Sequence, residues 1–107
     1  MRLRSIQLVV GEDGGIIMGK GRMEILMSLD RTGSINKTAK ELKMSYKSVW
    51  SKIKSTEKNF GRPVVHADRA TGTVLTEAGR ALLTAYQTLN RQCMAADDAI
   101  FATLFPV

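Results

Sequence analysis

Residues 33 to 61 read GSINKTAKELKMSYKSVWSKIKSTEKNFG, and this stretch decides the fold. Ser34 is a natural N-cap, and Ile35, Ala39 and Leu42 follow it at i, i+4 and i+7, the spacing of one helix face. Lys43 and Met44 make a turn. Ser45 caps a second helix, in which Val49, Ile53, Thr56 and Phe60 share one side. Outward lie Lys47, Ser48, Ser51, Lys54, Ser55 and Lys58. Hydroxyls and ammoniums suit phosphate and base edges, so the pattern predicts a helix-turn-helix, about 34–60, whose second helix reads DNA.

Charge points the same way. The chain of 107 residues carries 16 Lys and Arg against 10 Asp and Glu, net +6. Between Ser34 and Arg69 nine basic residues face three acidic ones, and the rest of the chain balances at seven each. The whole excess thus falls on the predicted reading unit, the footprint expected for nucleic acid. A solvated basic face without a partner is the plainer alternative; its coincidence with the helix-turn-helix pattern counts against it.

At this length and 44% hydrophobic content, 1–107 is expected to form one domain with a modest core. The longest apolar run, near 99–105, is far shorter than the roughly 18 residues of a membrane span. The start MRLRSIQLVVGEDGG is basic, but its apolar part is too short for a signal peptide. One cysteine, Cys93, cannot form an internal disulfide, so a cytoplasmic location is expected.

Outward from the central stretch, Leu3 to Val10 alternates as a strand does, GEDGG at 11–15 is turn chemistry, and Ile16 to Met18 can return as a second strand. A first helix is expected over about Lys20 to Arg31, with Met23, Leu26, Met27 and Leu29 inward and Gly33 in the left-handed position after its end. Beyond Gly61, Val64–His66 and Thr73–Leu75 flank ATG at 70–72, a hairpin or wing, about 62–75, with Arg69 beside its tip. The last segment, about 76–104, reads as one long helix ended by Pro106. Leu82, Tyr86, Leu89, Cys93, Ala96 and Ile100 recur along it at 4, 3, 4, 3 and 4, a heptad seam for pairing with a second copy. The fold class expected is α+β and mostly helical: a winged helix-turn-helix with a long C-terminal dimerisation helix.

Laid out this way, the chain resembles a known family. GKGRMEIL (19–26), GSINKTAKELKMSYKSVW (33–50) and RATGTVLTEAGRALL (69–83) are similar to the N-terminal domain of the molybdate-responsive, ModE-type regulators. The third also resembles the end of the LysR-type DNA-binding domain. The more discriminating piece is Ser45-Tyr46-Lys47 with Trp50. The resemblance spans nearly the whole chain and implies a dimeric winged helix, the 45–60 helix in the major groove and the wing along the backbone or minor groove. Full-length members carry C-terminal oxyanion-binding domains, and the sequence ends before one could begin. Molybdate sensing by that route, or any small-molecule effector, is therefore not expected.

Candidate DNA-binding residues are Ser34, Ser45, Tyr46, Lys47, Ser48, Ser51, Lys52, Lys54, Arg69 and Thr71. Tyr46, Lys47 and Ser48 lie in the first turn, where helix-turn-helix proteins approach the bases. Lys47 can donate to a guanine edge, while Lys54 is placed for phosphate. Trp50 is expected to pack between helix and wing, since tryptophan usually buries its body, with a base or phosphate contact beside Tyr46 as the alternative. His66 is expected to serve packing, and Cys93 to sit in a buried interface. No second Cys or His completes a metal site, and no cofactor motif or catalytic constellation is apparent, so an enzyme is not expected. The expected function is sequence-specific, homodimeric transcriptional regulation at an inverted-repeat site in double-stranded DNA. The competing readings are a protein-interaction module and an architectural DNA binder.

Overall fold

The computed structural model describes residues 1–70 and 72–106. In chain order its elements are β1 (Val9–Val10), β2 (Ile16–Met18), α1 (Lys20–Thr32), α2 (Ile35–Leu42), α3 (Tyr46–Phe60), β3 (Val65–Asp68), β4 (Gly72–Leu75) and α4 (Glu77–Leu104). Two antiparallel hairpins, β1–β2 and β3–β4, flank a bundle of α1, α2 and α3, and α4 closes the far side. This is a winged helix.

Local chemistry sets the boundaries. Gly33 stands at φ 68° and donates its N–H to Leu29, ending α1. The Ser34 hydroxyl accepts the Lys37 N–H and starts α2, and the Ser45 hydroxyl accepts the Ser48 N–H and starts α3. Between them Lys43 takes the left-handed conformation, φ 56°, with its N–H turned back to the carbonyls of Ala39 and Lys40. Thr76 caps α4 by accepting the Gly79 N–H.

The core gathers Met18, Ile25, Leu26, Leu29, Ile35, Ala39, Val49, Ile53, Val64, Leu75, Leu83 and Tyr86. Each large side chain contributes about 1.5–3 kcal/mol by leaving water. Polar ties fix how the helices meet. The Thr56 hydroxyl donates to the Ile17 carbonyl at 2.8 Å, and the Asn59 amide to Ile16 at 2.8 Å. Arg22 donates to the carbonyls of Ile16 and Lys52 and to the Thr56 hydroxyl, joining α1, β2 and α3. Burial lowers its pKa, from a value high enough that it stays charged.

Between α1 and α2, Ser28 donates to Thr38 and to the Glu41 carboxylate, which also pairs with Arg31. Arg80 of α4 grips Asp30 of α1 with two nitrogens, at 2.7 and 3.1 Å. Glu57 closes the bundle against the wing. Its Oε2 accepts the N–H of Val64 at 2.9 Å, and its Oε1 lies 3.1 Å from the Lys54 ammonium.

The wing pairs Val65 with Leu75, His66 with Val74, Ala67 with Thr73 and Asp68 with Gly72. It is pinned at both ends by close backbone approach. At Gly72, φ 82°, a Cβ would meet the Gly33 carbonyl oxygen at 2.3 Å, and Thr73 donates its N–H to that same oxygen. At Gly79, on α4, a Cβ would come 2.1 Å from the Val64 carbonyl oxygen, which already accepts the Thr76 N–H.

Several expectations are corrected here. The strand expected over Leu3–Val10 reduces to Val9–Val10, because its partner β2 has only three residues to pair with. The residues before it leave the sheet, and the Gln7 carbonyl accepts the Tyr86 hydroxyl at 2.7 Å instead. Met27, expected inward, is exposed; Ser28 takes the inward place, where it is bonded to Thr38 and Glu41. The wing strands begin at Val65 and Gly72, a residue from where their β-prone side chains suggested.

Two predictions follow from these ties. Gly79→Ala forces the Val64 carbonyl away and should destabilise the domain by about 1–3 kcal/mol in urea unfolding. The second concerns acid. Asp30 is held below its ordinary pKa by hydrogen bonds from Arg80, and Glu41 by those from Ser28 and Arg31. Burial would raise Glu57, but the N–H groups of Val64 and Val65 and the Lys54 ammonium outweigh it, so it too is lowered. Carboxylates depressed on folding stabilise fully above the unfolded value of about 4 and lose that contribution as pH falls through the folded one. The midpoint of denaturation should therefore fall on acidification below about pH 5, with a shallower slope for Glu57→Gln.

Candidate nucleic-acid interface

α3 buries Val49, Ile53 and Thr56 and turns the rest of its circumference outward. At about 100° per residue, Lys47, Ser51, Lys54 and Lys58 line the face opposite the core, with Tyr46 and Trp50 on its flank. All six are exposed. Ser48 is half-buried beside the cap, and Ser45 is exposed with its hydroxyl committed to the Ser48 N–H. Lys52 lies round on the opposite flank, where its carbonyl accepts from Arg22.

Among the described residues, Lys47, Lys52 and Lys58 form no ion pair, so their charges stand in solvent. Lys54 is placed more firmly. Its ammonium sits 4.4 Å from the centroid of the Trp50 ring while it pairs with Glu57. Trp50, expected between helix and wing, is instead exposed, with Lys54 laid over it. No spacing rule announced this. The i, i+4 relation of Trp50 to Lys54 made the contact possible, but Glu57 and the wing amides that steady Lys54 come from the fold.

At the corner between α1 and α2, Ser34 is half-buried, its hydroxyl used by the Lys37 N–H. Its neighbour Gly33 carries the wing through the bond from Thr73, which sets the wing beside this corner. Arg69 is exposed on the wing, next to a turn in which the Asp68 carboxylate accepts the Ala70 N–H. Thr71 lies outside the described residues. His66 is exposed on β3 and does not serve the packing expected of it.

The expected seam of α4 divides. Tyr86 is 2% exposed in the core of its own chain, where burial raises its phenol pKa, so it has no surface to offer a second copy. Leu82 packs against the same core, and Cys93 is half-buried. Leu89, Ala96 and Ile100 are exposed. The free stripe runs instead through Ala81, Ala85, Leu89, Gln92 and Ala96, part of it forming a shallow groove with Thr84 and Thr88. A 3-4 periodicity marks an apolar side but does not say whether its partner is internal or external; here the Leu82–Tyr86 edge goes to the internal one.

Among the described residues no helix is long and apolar enough to cross a membrane, and no group of three His, Cys, Asp or Glu could hold a metal ion.

Comparison with known proteins agrees with this geometry. Residues 21–80 match the model of the bacterial regulatory helix-turn-helix protein, lysR family. The molybdenum-pterin-binding protein MopB of Rhodobacter capsulatus is 39% identical over 82 residues, 73% of this chain and 30% of its own. The transcriptional regulator ModE of Haemophilus influenzae is 30% identical over 95 residues, 85% of this chain and 37% of its own. This chain thus spans about a third of the length of these relatives. Among solved structures, the DNA-binding domain of CbnR in its DNA complex superposes with a TM-score of 0.68 at 20% identity, covering 81% of this chain and 99% of that one. The match over α1, α2, α3 and the wing shows that the chain belongs to the LysR family of bacterial regulatory helix-turn-helix proteins, with sequence similarity to parts of ModE and MopB.

Proposed function

We propose that residues 1–107 act as a single sequence-specific DNA-binding domain of a transcriptional regulator, with no catalytic role. In this reading α3 enters the major groove, the wing follows the backbone, and two copies pair through α4. The observation that carries it is the outward face of α3: exposed Tyr46, Lys47, Ser51, Lys54 and Lys58 on a helix locked to the body by Thr56, Asn59 and Glu57. A rigid helix bearing donors on its free side fits base edges, and exposed ammoniums fit phosphates. Ser34, Ser45, Ser48, Lys52, Arg69 and Thr71 are assigned to the backbone, beside the reading helix. The molybdenum-pterin binding in the name of MopB is no part of this proposal, since this chain matches only 30% of that protein.

The pairing face is the stripe of Ala81, Ala85, Leu89, Gln92 and Ala96, with Ile100 at its end. Small residues let two helices approach closely, and Leu89 and Ile100, 41% and 58% exposed, gain from being covered. Twofold pairing presents two α3 helices to half-sites a whole number of helical turns apart, so the operator is an inverted repeat.

Selection of duplexes from a random pool tests the class directly: an enriched inverted repeat is the expected result, and no enrichment would sink the reading. On the selected site Lys47→Ala should cost about 1–3 kcal/mol and leave random duplex nearly untouched. Lys54→Ala should weaken both and reduce the salt slope by about one. For the pairing, sedimentation should find Leu89→Glu a folded monomer with much weaker operator binding; a variant that still dimerises would move the interface off α4.

A further inference from the structure

Trp50 is an unusual residue to leave in water. It is 40% exposed on α3, next to Tyr46 at 50%, although the core face of the same helix lies only about a quarter turn away. Its position is nevertheless fixed. Lys54 lies 4.4 Å above the ring, Glu57 pairs with Lys54 at 3.1 Å, and Glu57 is itself held by the Val64 amide at 2.9 Å. A chain of three contacts thus steadies an exposed indole from the root of the wing. Lysines and serines on the same face already meet the needs of phosphates and of polar base edges. An apolar ring among them calls for an apolar target.

Of the groups that tell base pairs apart in the major groove, the 5-methyl of thymine is the apolar one; the others are donors and acceptors. We infer that Trp50 is a specificity-determining residue that selects thymine by packing against that methyl group, resting on the DNA-reading role proposed above for α3. Lys54 covers one face of the indole, which disfavours stacking on an extruded base and leaves the remaining ring surface to the groove floor. Glu57 and Lys54 act as positioning residues for it.

The test uses the selected duplex, prepared with thymine or with deoxyuridine, which lacks only the methyl. Wild type should lose about fourfold in affinity for each methyl contacted, the worth of one buried carbon. Trp50→Ala should bind the two duplexes equally, and Trp50→Phe should keep part of the difference. A purely structural role for Trp50 would lower affinity for both duplexes alike and leave the difference intact. That result, or a wild type indifferent to the methyl, overturns the inference while the DNA-reading role stands. A wild type that cannot tell the selected duplex from random DNA overturns both. Should Trp50→Ala prove unfolded by circular dichroism, photocrosslinking of wild type to the duplex carrying 5-bromouracil decides the matter. Crosslinks are then expected on the peptide containing Trp50, and crosslinks only elsewhere refute the assignment.

Discussion

The carboxylate of Glu57 is the joint that sets the outward face of α3 against the wing. It sits near the end of α3, where the chain must leave the helix, turn at Gly61 and descend into the wing. There it takes the N–H of Val64 on one oxygen and the Lys54 ammonium on the other. A backbone amide at the start of a hairpin has no ladder partner yet, and leaving it unpaired would cost about 1–3 kcal/mol. By satisfying it from the helix, one side chain fixes the angle between α3 and the wing. It also places a negative charge inside the most basic part of the molecule, which makes room for the lysines around it.

The remaining contacts transmit that placement outward. Thr56 and Asn59 fasten the other flank of α3 to β2, and Arg22 bridges both to α1. The wing is fixed by its bond to Gly33 and by the contact of Val64 on Gly79. Both are places where backbone meets backbone, so glycine is required by space, and at Gly72 by its left-handed φ as well. The helix, the corner and the wing therefore form one rigid body, and the outward residues keep their spacing without a ligand to organise them.

Much of this was legible in the residues themselves. Ser34 and Ser45 announced two helix starts, and Gly33 one end, because capping is a local bargain between a side chain and the nearest amides. What escaped depended on partners far along the chain. The alternation from Leu3 to Val10 was real, but a strand lasts only as long as its neighbour, and β2 is short. Tyr86 fell on a heptad position, yet its ring goes to the core and its hydroxyl to Gln7, 79 residues away. Trp50 was given to the interior by its type, whereas the Lys54 contact that holds it outside rests on Glu57 and the amide of Val64. Of the surface itself, the sequence showed which residues were polar; their arrangement came from the packing beneath.

Lys43 shows where the scaffold carries a strained position of its own. The turn between α2 and α3 needs a left-handed residue, a position that glycine occupies without strain and that a side chain with a Cβ resists. A sequence tuned for stability alone would place glycine there. Lysine holds the position instead, and the turn is closed by its N–H, bonded back to the carbonyls of Ala39 and Lys40. The turn is thus a point where the folded domain holds less stability than its backbone path would allow a glycine to give.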